Sequence, residues 1–528
     1  TAGSQACSDI ATAGPPSLIG PPCAGLEGSA YDSGVSVDTL INPLRHFWRQ
    51  LLRLIARQPL SARLLLLLAG LVWLVPARAV LPEGVRAALA RAQIDADSTY
   101  VWVAPVGSDT PRLAHQAERL AHPASVMKLV TTAAALHRLG PAHQWSTPVY
   151  LDGPIQQGVL QGSLYLQGRG DPRLVLERVW LLVQRLRALG LQEIRGDIVL
   201  DRSHYALPAQ APGAFDGEPF RPYNVQPDAL MLNQKSLILW LRPDPAQGVA
   251  WVQPEPALAG VEVTASVPLN RQGCGDYRAQ LAPDLSQPRR IRLNGSFPQA
   301  CGEKAWPLAY QEPSSYDARL LESLWKAAGG RLVGRVRDGR VPLGLAPTLE
   351  FPSPPLPEVL RDMNKYSNNM IAQQVLLALS PVLPARFETA RPVLLDWLQQ
   401  PVGCAADEIV LDNGSGLSRE ERISARCLAR VMQWSWAQAW MPELLASLPV
   451  AGLDGTARRA VSASGRAHFK TGSLANVAAL AGWIHLPNGR RVVLVAMINH
   501  PQATGPEVRA ALDSLVRWVV DDKELNTP

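Results

Sequence analysis

Ser125 and Lys128 stand three residues apart in His122-Pro123-Ala124-Ser125-Val126-Met127-Lys128. On a helix that spacing puts both side chains on one face, a single turn apart. The lysine amine then reaches the hydroxyl. Once desolvated or held near other cations, it serves as the base that makes the hydroxyl nucleophilic. Two further polar clusters follow in order, Ser367-Asn368-Asn369 and Lys470-Thr471-Gly472-Ser473. A hydroxyl nucleophile with a lysine base, and a second serine and lysine to move protons and hold an anion, point to acyl transfer.

The elements around these clusters must hold them together. Pro123 suits the first turn of a helix, and Ala124 leaves room beside the serine. Leu129, Val130, Ala133, Ala134 and Leu136 form an apolar stripe that buries the helix and fixes its start. Residues 80–142 predict an opening helix over Pro82–Ala92, a strand pair near Thr99–Val106 and His115, and then the Ser125 helix. Ser125 and Ser367 are 242 positions apart, but Ser367 and Lys470 only 103. Short β-type runs occupy the long interval at 149–151, 164–166, 198–200, 237–241 and 261–267, with one helix over 174–189. The Pro-rich stretch Pro347–Pro357 marks the return. The expectation is a mixed α/β (α+β) chain whose catalytic domain, 80–142 and 352–528, is split by inserted β-rich domains over 143–351. The apolar helix carrying Val508, Leu512, Leu515, Val516 and Val519 is expected in the core rather than in a membrane.

The chain has 528 residues, 47% hydrophobic and 18% charged, enough for two to four domains. Its net charge is +6, and six arginines against four carboxylates in residues 1–79 leave +4 for the rest. That mild excess, without a Lys/Arg-rich block, gives no case for nucleic-acid binding. Residues 1–44 lack periodicity and are read as an extension upstream of an export signal; the first methionine is Met127. Residues 45–79 combine basic residues, an uncharged apolar run over Leu64–Val75 and Ala77-Arg78-Ala79, the pattern of a signal peptide cleaved after Ala79. The run is short of the roughly 20 residues of a membrane span. The expected destination is the periplasm or cell exterior. Downstream, Cys274, Cys301, Cys404 and Cys427 allow three pairings, of which the sequence-local one is Cys274–Cys301 with Cys404–Cys427. The histidine and cysteine spacings suit no metal site, so neither metal nor other cofactor is expected.

Ser-x-x-Lys, Ser-x-Asn and Lys-Thr-Gly in this order are the signature of the penicillin-recognising serine acyltransferases. The inserted length narrows this further. The chain resembles the low-molecular-mass class C penicillin-binding proteins, the D-alanyl-D-alanine carboxypeptidase/endopeptidases of peptidase family S13. The likeness runs from about Val80 to near the C-terminus. Its other marks are Gly170-Asp171-Pro172, Ser353-Pro354-Pro355-Leu356, the Asp412–Arg419 run Asp-Asn-Gly-Ser-Gly-Leu-Ser-Arg, and Leu448–Thr456. The resemblance implies a β-lactamase/transpeptidase-like domain carrying an inserted domain that is itself interrupted, the third domain placed at about 172–258.

It also implies roles. Ser125 attacks the carbonyl of the penultimate D-alanine of a peptidoglycan stem peptide, with Lys128 taking its proton. Ser367 relays a proton to the leaving amine, Lys470 keeps the relay polarised, and Asn369 holds Lys128 and the substrate amide. Lys470 and Thr471 receive the terminal carboxylate. Gly472 lets the strand approach the substrate, and the N–H groups of Ser125 and Ser473 form the oxyanion hole. β-Lactams acylate Ser125 and leave slowly. Arg419 and Asp216 approach the diamino-acid side chain of the stem. His122 is expected to pack or cap rather than catalyse.

Two rivals remain open: a β-lactamase-type hydrolase, and a non-catalytic wall-binding protein that keeps the fold. No Glu-x-x-x-Asn lies between Ser367 and Lys470, and the insertion is long for a β-lactamase. Oligomeric state is not legible. A register ambiguity is testable. Tyr366-Ser367-Asn368 also fits a Tyr-x-Asn pattern, and neighbouring helical residues point about 100° apart. Ser367→Ala is expected to impair acylation by labelled penicillin while Tyr366→Phe does not; the opposite result assigns the relay to Tyr366.

Overall fold

The computed structural model describes residues 80–527; the expected extension 1–44 and the expected signal peptide 45–79 lie outside the described residues. The chain opens with α1, Glu83–Arg91, whose Val85, Ala88 and Leu89 are buried at helical spacing. Strands β1, Thr99–Pro105, and β2, Leu113–His115, follow as an antiparallel pair. A single 3-10 turn, Ala124–Val126, leads into α2, Met127–Leu139. Every residue of α2 from Met127 to Leu136 is buried, the expected apolar stripe together with Lys128, Thr131 and Thr132.

The chain then builds a second body of sheet. Strands β3, Ser146–Leu151, and β4, Leu164–Gln167, pair antiparallel. Helix α3, Leu176–Ala188, crosses to β5, Ile198–Asp201, which lies parallel to β4, the connection a parallel pair requires. Strands β6, Ser236–Asp244; β7, Val249–Glu255; β8, Ser266–Asn270; and β9, Lys304–Ala309 form most of a separate sheet. Helix α4, Pro313–Ala327, then returns the chain to β10, Val336–Asp338, beside β5, and to β11, Leu349–Pro352, beside β3. One apolar cluster, from Val149 to Phe351, fills both sheets.

Three expectations change here. Residues 174–189 and 198–200 belong with the β3–β4 sheet, because the parallel β4–β5 pair needs α3 as its crossover. The strands that interrupt that sheet therefore span 236–309 rather than 172–258. The interval also holds a second long helix, α4. Its Tyr316, Leu320, Leu321 and Trp325 are buried on one face. Pro313-Ser314-Ser315 opens it with poor helix formers, although proline at N1 is a start signal. The run 261–267 is not one strand: it breaks between 262–263 and β8.

After β11 the chain forms α5, Leu356–Lys365; α6, Asn369–Leu377; and α7, Ala425–Trp436. Next come β12, Ala467–Leu474; β13, Val477–His485; β14, Arg491–Asn499; and α8, Pro506–Asp521, before a last short helical turn over Lys523–Asn526. The sheet order is β2-β1-β14-β13-β12, so β1 from the start of the described chain pairs with β14 from its end, and β12 is an edge. Strand period 2 divides β14 between two cores. Val493, Val495 and Met497 face α2 and its neighbours, while Val492, Leu494, Ala496 and Ile498 pack with α1 and α8. The sheet is thus a layer between helices, which explains why β13 and β14 are apolar almost throughout. As expected, α8 is core: Val508, Leu515, Val516 and Val519 are buried. Among the described residues no helix is long and apolar enough to cross a membrane.

Both sequence-local disulfides form, Cys274–Cys301 and Cys404–Cys427. The second ties the segment after α6 to α7 beneath the first core, across a separation of 23 residues. Closing a loop of that size is worth about 3 kcal/mol. Replacing Cys404 and Cys427 together by alanine is expected to lower the urea midpoint by that equivalent; an unchanged midpoint contradicts it.

Candidate active site

The Ser125 turn is held from three sides. The His122 backbone is bracketed by Asn499 at the end of β14: its N–H donates to Asn499 Oδ1 at 2.6 Å, and its carbonyl accepts from Asn499 Nδ2 at 3.1 Å. The His122 ring caps the turn. Nδ1 accepts from the Ala124 N–H at 2.9 Å, which leaves Nε2–H to donate to the Ser418 carbonyl at 2.7 Å. Such a ring is neutral. Burial holds its pKa down, with help from Arg422 and Arg419, against the opposing pull of the Ser418 bond. Third, Leu120–Ala121 pair with Arg422–Ser424, so the segments on either side of the Asp412–Arg419 loop and the nucleophile turn are stitched together.

Lys128 is fully buried, and its Nζ lies 3.0 Å from Ser125 Oγ and 2.7 Å from Asn369 Oδ1, with the Ser415 carbonyl as a third partner. The Asn369 amide is oriented by its Nδ2, which donates to the Tyr223 carbonyl at 3.2 Å. Asn369 Oδ1 and the Ser415 carbonyl can only accept. A neutral Lys128 therefore gives its two N–H groups to them and turns its lone pair to the Ser125 hydroxyl. Burial pushes its pKa well below the usual lysine range, and the charge of Lys470 pushes further, against a smaller opposing effect of Glu421.

Ser367 lies in the break between α5 and α6 at φ +58°, a left-handed conformation that costs a non-glycine residue about 1–3 kcal/mol. The break is over-determined. Asn368 Oδ1 caps α6 by accepting from the Ile371 N–H, and its Nδ2 donates to Gln234 Oε1. The register thus follows from a turn rather than from a continuous helix. Ser367 Oγ accepts from Lys470 Nζ at 2.9 Å, while Tyr366 is 74% exposed. Lys470 is also fully buried, and burial lowers its pKa to about 7. Thr471 Oγ1 donates to Thr456 Oγ1 at 2.6 Å.

Gly472 has a more local reason than substrate approach. A Cβ there would meet the Pro123 carbonyl oxygen at 2.8 Å and the Ser125 nitrogen at 3.1 Å, so glycine lets the edge strand press against the nucleophile turn. Ser473 lies next along β12 and lines the same cavity, of about 590 Å³, as Ser125, Ser367, Thr471 and Gly472. Arg419 and Asp216 are brought near one another but bound separately. The Arg419 guanidinium stacks 4.2 Å from the Phe215 ring centre and donates to the Phe215 carbonyl. Asp216 accepts from Tyr223 Oη at 2.8 Å, Asn224 Nδ2 at 2.7 Å and the Glu218 N–H at 3.1 Å. Burial opposes its ionisation, yet these bonds and the nearby Arg419 charge hold its pKa below the usual value.

Glu421 was not singled out from sequence. Wholly buried, it accepts from the N–H groups of Gly414 at 2.6 Å and Gly416 at 2.7 Å, and so shapes the loop whose Ser415 carbonyl meets Lys128. Burial lifts its pKa to about 7 against those bonds. Gly416 completes the fit: a Cβ would stand 1.9 Å from the Ala124 carbonyl oxygen. Thr456 and Asn499 were likewise missed. Glu421 sits seven residues after Gly414, and only the folded loop reveals their contact.

A sheet between helical layers, with Ser-x-x-Lys, Ser-x-Asn and Lys-Thr-Gly converging at its edge, defines a protein of the β-lactamase/transpeptidase-like class. The D-Ala-D-Ala carboxypeptidase 3 (S13) family model matches residues 81–519, and the chain belongs to that family. It is 26% identical over 390 residues to the D-alanyl-D-alanine carboxypeptidase DacB of Haemophilus influenzae, covering 71% of this chain and 80% of that one. It is 28% identical over 418 residues to the D-alanyl-D-alanine carboxypeptidase of an Actinomadura species, covering 74% and 76%. The crystal structure of penicillin binding protein 4 (dacB) from Haemophilus influenzae shares the fold, with a TM-score of 0.67 at 24% identity over 81% of this chain and 96% of that one.

Glu421→Ala strands the Gly414 and Gly416 N–H groups at roughly 1–3 kcal/mol each. The variant is expected to melt at lower temperature and to be acylated more slowly by fluorescent penicillin. Unchanged melting and acylation rate would contradict this role.

Proposed function

We propose that this chain is a serine D-alanyl-D-alanine carboxypeptidase and endopeptidase that acts on peptidoglycan stem peptides and is inhibited covalently by β-lactams. The observation that carries the reading is the Lys128 amine, buried between Ser125 Oγ, Asn369 Oδ1 and the Ser415 carbonyl. Family membership supports the substrate class.

The neutral amine takes the Ser125 proton as Oγ attacks the penultimate D-alanine carbonyl. The N–H groups of Ser125 and Ser473 receive the oxyanion, each worth roughly 3–4 kcal/mol. As the C–N bond breaks, the proton passes through the Ser367 hydroxyl to the departing amine. Lys470, 2.9 Å from Ser367 Oγ, supports that hydroxyl and attracts the terminal carboxylate together with Thr471. Water then cleaves the ester and restores Ser125. An extended substrate lies beside edge strand β12, whose outer backbone groups can pair with it. Arg419 and Asp216 form the far end of the acyl side and meet the diamino-acid side chain. Residues 80–142 and 352–528 act as the catalytic unit, with 143–351 inserted, and the segment 45–79 directs export to the periplasm.

The lysines set the pH profile. Lys128 must be neutral, and burial, with the charge of Lys470, lowers its pKa and so favours that form; activity falls as acid protonates it. Lys470 must be charged to attract the carboxylate, and in the free enzyme it loses its proton as pH rises through about 7. The profile of kcat/KM for D-alanine release is therefore expected to be bell-shaped. A rate that climbs steadily to the normal lysine range contradicts the assignment. Mass spectrometry of digested muropeptides separates the two activities: loss of one D-alanine reports the first, and conversion of cross-linked dimers to monomers the second. Neither product overturns the reading.

A further inference from the structure

The cavity at Ser125 extends beyond the residues used above. It passes Ser367 and Thr471, follows the turn at Thr456, and runs over Leu480 to Leu512 and Val516 of α8. Arg458, Arg459 and Arg509 line this far part. All three are exposed, and among the described residues none of their guanidinium groups forms an ion pair or hydrogen bond. Asp513 is the one carboxylate in the lining, and it is already engaged. It accepts from the Ser462 N–H at 3.2 Å and the Ser462 hydroxyl at 2.6 Å, and lies 3.8 Å from Arg517.

The two ends of β12 distinguish the two sides of a substrate. Arg419 lines a separate hollow with Leu474, Ala475 and Asn476, at the C-terminal end of the strand. The three arginines instead adjoin Thr456, whose hydroxyl meets Thr471, the residue that receives the carboxylate of the leaving group. Lys470 and Thr471 suffice for one carboxylate. Three further uncompensated guanidinium groups against apolar walls focus a positive potential that one terminal carboxylate does not use up.

We propose that this arginine-lined end of the cleft is a leaving-group subsite for a peptide bearing additional carboxylates, the second stem of a cross-link, and that it favours endopeptidase cleavage. The proposal rests on the hydrolase reading of Ser125. The chemistry is unchanged: Ser125 Oγ bonds the carbonyl carbon, the C–N bond to the second stem breaks, and its amine departs with the proton released by Ser125. Water later cleaves the ester to the free acid and the Ser125 hydroxyl.

The test uses cross-linked peptide dimers whose acceptor stem carries free carboxylates, and the same dimers with those carboxylates converted to carboxamides. The full chain is expected to prefer the free-acid dimer in kcat/KM by about tenfold at low salt, and the preference should shrink as salt screens it. In the Arg458→Gln/Arg459→Gln/Arg509→Gln variant the ratio should fall to about one, and each single variant should lower it in part. Labelling by fluorescent penicillin, run in parallel, reports a folded and reactive Ser125. Should the triple variant fail to label, the single variants decide. A wild-type ratio near one, or an undiminished ratio in the variants, overturns the subsite. A wild-type protein that cleaves neither dimer and takes no penicillin overturns the hydrolase reading instead.

Discussion

The architecture depends on an amine kept dry. A lysine ammonium moved from water to a protein interior costs several kcal/mol, and among the described residues no carboxylate touches Lys128 to offset it. Its partners are an amide oxygen, a backbone carbonyl and a hydroxyl, with a second buried lysine nearby. Burial and the neighbouring lysine both favour the neutral base, and a neutral base among two obligate acceptors must turn its lone pair to the third partner. In the proposed mechanism, nucleophile activation thus follows from burial and from which atoms can donate.

Each of the three partners comes from a different part of the chain, and each is fixed by its own device. Ser125 is set by a histidine cap and by glycines that let the loop and the edge strand close on its turn. Ser415 is set by Glu421, a buried carboxylate that gathers the amides of a glycine-rich loop. Asn369 is set by a helix break whose capping residue reaches Gln234, and by the Tyr223 carbonyl. Gln234 and Tyr223 belong to the interval between the first and second motifs. That segment therefore steadies the base as well as bordering the cleft, so a change in its packing is felt at Lys128.

The legible part of this site was the part written in local spacing. Ser125 with Lys128, Ser367 with Asn369, and Lys470 with Gly472 are each separated by two or three residues, and their order along the chain adds to their meaning. The burial of α2 was equally visible, in the apolar stripe of Leu129, Val130, Ala133, Ala134 and Leu136. Glu421, Asn499 and Thr456 were not visible: their partners are backbone atoms or distant residues, and the contact exists only after folding. The role of Gly472 was half seen, since the close neighbour is the Ser125 turn. In the interval 143–351 the β4–β5 pairing and α4 were missed for one reason: parallel pairing and a helix opened by Pro-Ser-Ser leave weak local signals.

In the proposed mechanism Lys128 is the base that activates Ser125. Peptide mapping by mass spectrometry after incubation with benzylpenicillin, on the wild-type chain and on Lys128→Ala, tests this assignment. A single adduct is expected on the peptide that contains Ser125 in the wild type, and acylation slowed by at least about a hundredfold in the variant. An adduct at another residue, or a variant acylated at the wild-type rate, would contradict it.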